Sequence, residues 1–469
     1  MNSLDTVQYY PNELYSIQAD KNVCIKHIDN QYNKGCVVLD NIDSGTELYI
    51  ESPHIRCRLY NESITHNHQS TDHRNNQLPM YICDYCNAYF TDNLPEYIGK
   101  QLSHRITSLP HVLSDAGTPI DHCNVLLDLT EYEHAAVYCR YGCGEVYCNQ
   151  QCRDAAFLQY HELLCTHNKS DDSQQLYTVS IQQFIQHAQA NNETFIMLAR
   201  IFADIYLTYK RIVPPDTIDA QSMSTAMYSY LQYNNELWHI QKTQYMYHTM
   251  HPNEVDQHKQ QLYEICDASY TLLSAAFKPL IGGELYTTYF TAELFSRLLA
   301  AIEMNQYKIT TRSPLYFYYQ HIISLPDTEQ QSIIASLGNE IWQLIIDENE
   351  WVAVGSGLFR VTCCINHSCV PNVVVDKPAI FTQTSVDVNG VDRDVLYVDK
   401  CDDSIVVITL DDIPAGGQLF VSYIDENAEL DERTEEIGDY MFTCKCEKCI
   451  DERMNGKSTK FNDDAKMSE

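Results

Sequence analysis

The chain has 469 residues, of which 44% are hydrophobic and 20% charged, and this composition is typical of a folded protein of two or three domains rather than of a disordered chain. Lys and Arg number 31 against 64 Asp and Glu, and the net charge of -33 disfavours nucleic acid as a direct ligand and favours a cationic protein partner. The start, MNSLDTVQYYPNELYSI, has no basic segment followed by an apolar run, and no window of the chain approaches the roughly 20 apolar residues of a membrane span, so we expect a soluble, unsecreted protein.

The cysteine content indicates metal binding rather than disulfides. There are 19 cysteines, an odd number, no export signal precedes them, and many are spaced two to four residues apart. We therefore expect a reducing compartment and zinc.

The first predicted elements are short strands between about residues 20 and 60. In YNKGCVVLDNIDSGTELYIESPHI, the apolar runs Cys36–Leu39 and Leu48–Ile50 are separated by a turn at Ser44 and Gly45. This pattern is β-type.

The next segment carries eight possible zinc ligands in four pairs. Zinc prefers four thiolate or imidazole ligands in a tetrahedron, so eight ligands predict two ions. The last two pairs lie in a stretch that we predict to be helical, where a spacing of four places both members of a pair on one face. Five other cysteines are better explained as buried free thiols: Cys24, Cys57, Cys123, Cys266 and Cys401. The eight predicted ligands are Cys83, Cys86, Cys139, Cys143, Cys148, Cys152, His161 and Cys165.

Helical periodicity dominates from about residue 175 to 345. In ETFIMLARIFADIYLTYKRI and TAELFSRLLAAIEM the apolar residues recur every three and four positions. The pattern predicts a helical module, in which the many Tyr and Gln residues serve packing and surface rather than a cofactor site.

Strand patterns return after Trp351, in LYVDKC, SIVVITL and QLFVSYI. Two β-rich pieces therefore flank the metal-rich and helical segments, and a domain made of both would be discontinuous. Between them, CCINHSCVPNVVV is compatible with an ordinary turn before a buried strand and with a shaped pocket.

A second group of thiols closes the chain in FTCKCEKC, where Cys444, Cys446 and Cys449 leave a tetrahedral site one ligand short. Cys369, in the stretch just described, is a natural fourth ligand. The residues after Cys449 are mostly Asn, Lys, Ser and Asp, which predicts disorder.

Taken in order, these motifs resemble the SET- and MYND-domain family of protein lysine methyltransferases. The likeness runs from about residue 20 to 450 and rests on YNKGC, the eight-ligand cluster, GSGLFRVTCCINHSCVPN, QLFVSYID and DYMFTCKCEKC. It is closest to the family's divergent fifth member, which shares the long gap after the first zinc pair and the doubled Cys363 and Cys364. Two features depart from the family: Cys139 and Cys143 are spaced C-x3-C rather than C-x2-C, and Tyr160 stands where many MYND domains have Trp.

The resemblance implies an α+β fold with a discontinuous, β-rich SET domain that contains a pseudoknot. A MYND-type zinc domain and a helical insert interrupt it, and a post-SET zinc segment follows. The implied boundaries are 20–80 and 346–430 for the two parts of the SET domain, 81–165 for the MYND domain, 175–345 for the helical insert, 431–450 for the post-SET segment and 451–469 for a disordered acidic tail.

The implied activity is transfer of a methyl group from S-adenosylmethionine to lysines of histone or non-histone proteins, for example ribosomal proteins. Tyr423 matches the family's catalytic tyrosine, and Tyr440 and Phe442 match aromatic positions of the lysine channel. Because Phe442 replaces a Tyr that could anchor water, higher methylation states are expected. The implied cofactor-binding residues are Lys34, Gly35, Cys36, Asn305, Asn366, His367, Tyr423 and Phe442. The implied post-SET zinc ligands are Cys369, Cys444, Cys446 and Cys449, which brings the expected number of zinc ions to three.

Three other functions share some of these features. A catalytically weak adaptor, with a MYND domain that binds peptides, would account for the zinc ligands, but it predicts erosion at Tyr423, Asn366, His367 and Phe442, all of which are present. A zinc-dependent ubiquitin ligase would leave NHSCVPN and VSYID unexplained. A nucleic-acid-binding zinc finger would conflict with the net negative charge. We further expect a monomer in the cytoplasm or nucleus, with a basic, lysine-containing protein substrate, a possible peptide partner at the MYND domain, and neither nucleic acid nor membrane as a partner.

Overall fold

The computed structural model covers most of the predicted strands, zinc ligands and helices. Among the described helices, none is both long and apolar enough to cross a membrane. The predicted free thiols Cys123 and Cys401, and residues 457–469 of the predicted tail, lie outside the described residues. The structure describes residues 22–28, 34–58, 81–90, 125–128, 135–167, 172–214, 217–231, 236–244, 246, 250–312, 319, 322–323, 326–339, 342–343, 346, 351–378, 381–388, 391–398 and 402–456.

The N-terminal segment forms short strands, as its apolar runs predict. The turn predicted at Ser44 and Gly45 lies between the second and third of them, and Gly45 has a φ of 77°, which only glycine adopts at little steric cost. The strands are β1 (Val23–His27), β2 (Lys34–Val38), β3 (Glu47–Glu51) and β4 (Ile55–Arg58).

The zinc-ligand segment combines small hairpins with a short helical stretch. The side chain of Asn149 caps the first helix by accepting a hydrogen bond from the backbone N–H of Cys152 at 2.8 Å. The elements are β5 (Tyr81–Ile82), β6 (Tyr89–Phe90), β7 (Val125–Asp128), β8 (Val137–Tyr138), β9 (Val146–Tyr147), α1 (Gln150–Ala156), a π-helical turn (Phe157–His161) and α2 (Glu162–Leu164).

The following segment is helical, with one exception to the prediction. Residues Tyr307–Arg312 form strand β10, because the run around Ile309 is rich in β-branched residues that favour a pleated surface. Helix α4 is buried along most of its length, including every residue from Phe195 to Ile205, and is the central helix of the module. The helices are α3 (Asp172–Asn191), α4 (Thr194–Ile212), α5 (Ala220–Leu231), α6 (Trp238–Gln244), α7 (Pro252–Ile281), α8 (Gly283–Tyr289), α9 (Ala292–Asn305) and α10 (Asp327–Leu337).

Strands return after residue 350, as predicted, and the chain closes with two helices. The last helix continues to Met454, so the predicted tail does not begin at residue 451; the sequence EKCIDERM is rich in good helix formers. The elements are β11 (Trp351–Leu358), a 3-10 turn (Thr362–Cys364), β12 (Asn366–His367), β13 (Val373–Asp376), β14 (Phe381–Val388), β15 (Val391–Val398), β16 (Ile405–Thr409), β17 (Phe420–Val421), α11 (Leu430–Gly438) and α12 (Glu447–Met454).

The strand pairing joins the two ends of the chain. β4 pairs with β11, which also pairs with β10, and β3 pairs with β16, which also pairs with β13, all antiparallel. β12 and β17 pair in parallel, β1 pairs with β2, and β15 pairs with β14 and with β7. The protein therefore mixes helices and sheets, and its β-rich part is built from both flanks of the helical segment.

Two large groups of buried apolar side chains hold this arrangement together. One lies within the β-rich part and includes Val38, Tyr49, Val373 and Val407, which come from both ends of the chain. The other joins the zinc-ligand segment to the helices. Arg200 of α4, 2% exposed, links helix α4 to the zinc-ligand segment and to β4. Its guanidinium lies 4.1 Å from the centre of the Tyr160 ring and donates to the Arg56 carbonyl at 2.8 Å.

Candidate active site and metal centres

The first metal centre combines the first and third of the predicted ligand pairs. The ligand atoms of Cys83, Cys86, Cys148 and Cys152 all lie within 4.8 Å of one another. Cys148 lies 3.6 Å, sulfur to sulfur, from both Cys86 and Cys152. Cys148 directly precedes the N-cap of α1 and Cys152 lies in its first turn, so the spacing of four does bring this pair together.

The second centre combines the remaining two pairs, so the four pairs interleave along the chain. Cys139, Cys143, His161 and Cys165 have their ligand atoms within 4.8 Å of one another. His161 Nε2 faces Cys139 and Cys143, and its Nδ1 lies 2.9 Å from the carboxylate of Glu145, which fixes the ring orientation as carboxylates commonly do for metal-bound histidines.

The C-x3-C spacing is accommodated by a tight turn. Between Cys139 and Cys143, Gly142 has a φ of 76° and donates its N–H to the Cys139 carbonyl at 3.1 Å. The other departure, Tyr160, is fully buried, and its hydroxyl donates to the Asp84 carbonyl at 2.9 Å. Tyr160 is thus a packing residue beneath the first centre.

The third centre brings Cys369 to the C-terminal thiols, as predicted. Its sulfur lies 3.9 Å from that of Cys444 and 3.5 Å from that of Cys449, and Cys446 completes the group. The buried Arg433 of α11 directs its guanidinium at the Cys449 sulfur, 3.7 Å away, where a positive charge stabilises thiolate.

These groups fit zinc. Four thiolates at about 2.3 Å from one zinc ion lie about 3.8 Å apart, which agrees with the sulfur separations given above, whereas disulfide sulfurs lie about 2 Å apart. Outside the three groups, Cys57 and Cys266 are buried free thiols, as predicted, and burial raises the pKa of each to about 11. Cys24 is also free but only half-buried. Three groups of Cys and His therefore provide three zinc sites.

A cavity of about 440 Å³ lies directly beside the third centre. This volume is typical of small-molecule sites. Four residues of its wall are predicted site residues, and one, Cys444, is a zinc ligand. The wall consists of Asn366, His367, Tyr423, Phe442, Thr443, Cys444 and Lys445.

His367 connects the cavity to the metal centre. Its Nδ1 accepts the backbone N–H of Tyr423 at 3.0 Å, and its Nε2 lies 3.3 Å from the Cys369 sulfur. Burial lowers the pKa of His367 to about 4, so the ring is neutral at pH 7 and carries its proton on Nε2. The ring also contacts Phe442, at 5.9 Å between ring centres.

Tyr423 is part of the cavity wall and also contacts a second aromatic ring. Its hydroxyl donates to the Ile365 carbonyl at 2.6 Å, and its ring centre lies 5.0 Å from that of Tyr440. Burial raises the pKa of Tyr423, so the phenol stays protonated and its oxygen keeps acceptor capacity for a ligand.

Lys34, Gly35 and Cys36 reach the cavity through Asn366. The side-chain amide of Asn366 donates to the Lys34 carbonyl at 2.8 Å. A Cβ added to Gly35 would lie 2.8 Å from the Asn366 side chain, so only glycine fits this approach. Cys36 is fully buried, and its thiol donates to the Val361 carbonyl, so its side chain faces the core rather than the cavity.

Asn305 lies farther from the cavity and is linked to it through the backbone. Its carbonyl accepts from the Cys363 thiol at 2.9 Å, while its own amide group donates to the Ala301 carbonyl at 2.8 Å. The described cavity wall thus includes Asn366, His367, Tyr423 and Phe442 of the predicted cofactor residues, whereas Asn305 and Lys34–Cys36 lie behind it.

Three residues that were not predicted from the sequence support the cavity wall from behind. Tyr307 directs its hydroxyl toward the Thr362 carbonyl at 3.5 Å, and Glu51 binds Val361 and Thr362. Arg433 is the third. For Glu51 a signal was available: it is two residues from the buried Tyr49 on β3, and alternation places both on the same face.

Comparisons with known proteins agree with the resemblance found from the motifs. No family model matches the chain. Histone-lysine N-methyltransferase ATXR2 of Arabidopsis thaliana is 26% identical over 324 residues, which are 67% of this chain and 62% of that protein. Protein-lysine N-trimethyltransferase SMYD5 of Gallus gallus is 23% identical over 432 residues, 91% of this chain and 85% of that protein. N-lysine methyltransferase SMYD2 of Homo sapiens is 27% identical over 154 residues, 33% of this chain and 28% of that protein.

The predicted likeness to SET- and MYND-domain lysine methyltransferases is thereby confirmed, and with SMYD5 it extends over most of the chain. The chain spans less than two thirds of the plant relative's length.

Proposed function

We propose that this protein is an S-adenosylmethionine-dependent protein-lysine N-methyltransferase. The observation that carries the proposal is the cavity walled by Asn366, His367, Tyr423 and Phe442 and bordered by the zinc ligand Cys444. Asn366 and His367 precede Tyr423 and Phe442 by more than 50 positions, and together the four would form a site for a nucleoside-like ligand next to an aromatic pocket. The similarity to named lysine methyltransferases supports the same activity.

The proposed domain layout assigns 20–80 and 346–430 to one SET domain. Support comes from the strand pairing between these segments and from the hydrogen bonds of Asn372. Its side chain donates to the Gln418 carbonyl at 2.9 Å and accepts from the Phe420 N–H at 2.8 Å, beside the parallel pair β12 and β17. A pseudoknot requires this type of contact. Residues 81–165 would be the MYND-type zinc domain, 175–345 the helical insert and 431–450 the post-SET zinc segment.

S-adenosylmethionine would supply a methyl group on a sulfonium. An uncharged lysine amine would attack this methyl carbon in line, and the sulfur would leave as the thioether S-adenosylhomocysteine. Asn366 and His367 would hold the adenosyl part, with Gly35 allowing the backbone to approach closely. Lys34 and Cys36 of the same loop and Asn305 at the end of α9 would support the cofactor from behind the wall. Phe442, which is 40% exposed and lies at the cavity, would cover one face of the cofactor and exclude water.

Tyr423 would be the catalytic residue that orients the amine. Because its proton is used in the bond to the Ile365 carbonyl, its oxygen is free to accept a hydrogen bond from the amine and direct the nitrogen lone pair at the methyl group. Tyr440, whose ring is tilted by 43° against that of Tyr423, would line the channel and attract the cationic methylated product. The Phe at 442 favours products of higher methylation state.

We propose a basic, lysine-containing segment of a histone or a ribosomal protein as the substrate, because the net charge of -33 attracts cationic chains. The proposal places a monomeric enzyme in the cytoplasm or nucleus, with a peptide partner at the zinc domain.

The test is transfer of labelled methyl from S-adenosylmethionine to histones and ribosomal proteins by zinc-loaded protein. We expect labelled lysine from the wild type and a loss of about 100-fold or more in kcat for Tyr423→Phe, which keeps the ring but removes the hydroxyl. Cofactor binding, measured on the same samples, should survive in this variant. Mass spectra of the product should show di- or trimethyllysine; monomethyllysine alone contradicts the assignment to Phe442. A wild type that binds no S-adenosylmethionine would favour the adaptor instead.

A further inference from the structure

Glu51 is a buried carboxylate behind the cavity wall. It closes strand β3 and is 6% exposed. Its Oε1 accepts the Val361 N–H at 3.0 Å, and its Oε2 accepts both the Thr362 N–H at 3.0 Å and the Thr362 hydroxyl at 2.7 Å. The Tyr49 hydroxyl, two residues earlier on the same face, lies 3.3 Å from the Thr362 hydroxyl oxygen.

These contacts make the carboxylate a fixed anchor for one turn. Burying a carboxylate is costly unless its oxygens are satisfied, and hydrogen bonds to a charged acceptor are stronger than neutral ones. All three of the donors given above come from the start of the 3-10 turn Thr362–Cys364. A displaced turn would leave both the carboxylate and two backbone N–H groups without these bonds, so the geometry strongly favours one position of the turn.

The anchored turn and the two residues after it contact three parts of the proposed site. The Cys363 thiol donates to the Asn305 carbonyl at 2.9 Å. The Ile365 carbonyl accepts from the Tyr423 hydroxyl at 2.6 Å, and the Asn366 amide donates to the Lys34 carbonyl at 2.8 Å. A shift of this turn therefore changes the cofactor-binding loop and the orientation of the tyrosine hydroxyl together.

We propose that Glu51 is a positioning residue for methyl transfer, which sets the cofactor loop and Tyr423 through the turn 362–364. This inference rests on the proposed function for its kinetic consequence, but the anchoring itself is measured independently of activity.

The central variant is Glu51→Gln, which keeps the shape of the side chain but replaces one acceptor oxygen by a donor that faces a backbone N–H. Glu47→Gln is the matched control, because Glu47 lies on the same strand with an exposed side chain. A second pair separates the hydroxyl from the side-chain volume: Thr362→Val loses the donor to Glu51, and Thr362→Ser keeps it. Zinc content and thermal unfolding identify variants that remain folded.

The first measurement is hydrogen–deuterium exchange of the amides of residues 361–366 in the folded proteins. We expect about tenfold faster exchange in Glu51→Gln and Thr362→Val, and wild-type exchange in Glu47→Gln and Thr362→Ser, because a lost hydrogen bond to a charged group corresponds to about a factor of ten or more. Unchanged exchange in Glu51→Gln overturns the inference, whether or not the protein transfers methyl groups. Exchange raised throughout the chain would also overturn it, since Glu51 would then stabilise the fold generally.

The second measurement is steady-state kinetics on the same variants. We expect Glu51→Gln to raise the KM for S-adenosylmethionine and lower kcat, each about tenfold, with the KM of the protein substrate unchanged. Wild-type kinetics in a folded Glu51→Gln variant with a loosened turn would show that the turn does not position the site. A wild type without cofactor binding refutes the proposed function alone, because the exchange measurement still decides the anchoring.

Discussion

At the scale of single residues, Cys369 joins two structures that would otherwise be separate. Its sulfur belongs to the third metal centre, and it lies 3.3 Å from Nε2 of His367, whose ring forms part of the cavity wall. Cys444 is at once a member of that centre and part of the wall. The metal centre and the cavity are thus one unit.

We expect Cys369→Ser to lose one of three zinc ions and S-adenosylmethionine binding together. Serine is a poor zinc ligand, and without the ion the segment from Thr443 to Cys449 loses the bonds that hold it beside the cavity. Zinc per chain, measured by plasma mass spectrometry, and cofactor affinity, measured by calorimetry, check this. Cys266→Ser, at a buried thiol outside the three centres, is the control and should keep three ions. A Cys369→Ser variant with two zinc ions and full cofactor affinity would show that the cavity binds the cofactor without the third metal centre.

At the scale of elements, the connection between β3 and β4 is held against the helical module by His54. Its ring stacks on Tyr230 of α5 at 5.0 Å, and its Nδ1 lies 2.8 Å from the guanidinium of Arg360. Nε2 lies 3.3 Å from the Ser229 hydroxyl. Burial, with a contribution from the charge of Arg360, lowers the pKa of His54 to about 3.

This lowered pKa predicts a loss of stability in mild acid. The folded protein keeps His54 neutral down to about pH 3, whereas the unfolded chain protonates it below its ordinary value of about 6.5, so stability falls as the pH falls through this interval. Between pH 7 and 5 the free energy of unfolding should drop by about 1–2 kcal/mol more in the wild type than in His54→Gln. Denaturant unfolding at several pH values measures it. If the free energy of unfolding fell equally with pH in the wild type and in His54→Gln, His54 would not be the cause of the loss. The zinc ligands titrate in both proteins and therefore do not contribute to the difference between them.

The sequence predicted most of the elements and the zinc-ligand pairs, but few contacts between distant segments; that of Cys369 with the C-terminal thiols is the exception. Ligand spacing is local, so the zinc pairs and the shortage of one ligand at Cys444–Cys449 could be found by inspection. The way the four pairs interleave depends on how residues 81–90 meet 139–165 in space, which no local pattern contains. The same holds for Glu51, whose partners are about 310 positions away. Strand β10 was not predicted because the spacing of apolar residues around it is also compatible with a helix.

At the scale of the whole molecule, the chain is strongly acidic. The excess of 33 negative charges acts at long range in dilute salt, where the Debye length exceeds about 10 Å. A cationic protein segment would be drawn toward the protein before it contacts the proposed site.

We therefore expect kcat/KM for a basic lysine peptide to fall as ionic strength rises. Between about 0.02 and 0.3 M salt the decrease should be about tenfold, because screening removes the long-range attraction while leaving contacts within the cavity largely unchanged. A peptide with the same target lysine but neutral flanking residues is the control and should respond little. Equal salt dependence of the two peptides would show that the net charge does not steer the substrate.

The pairing of β3 and β4 with strands that follow residue 350 also has a consequence for biosynthesis. A ribosome adding roughly 5–20 residues per second needs on the order of tens of seconds to proceed from β4 to β11 and β16. During this interval the first strands have emerged without their partners, and their open edges resemble those through which nascent chains aggregate. The helices between them pack against one another and are synthesised before β11, so they can fold first. The middle of the chain is therefore expected to fold early, and the β-rich part closes only after β11 and β16 have been synthesised.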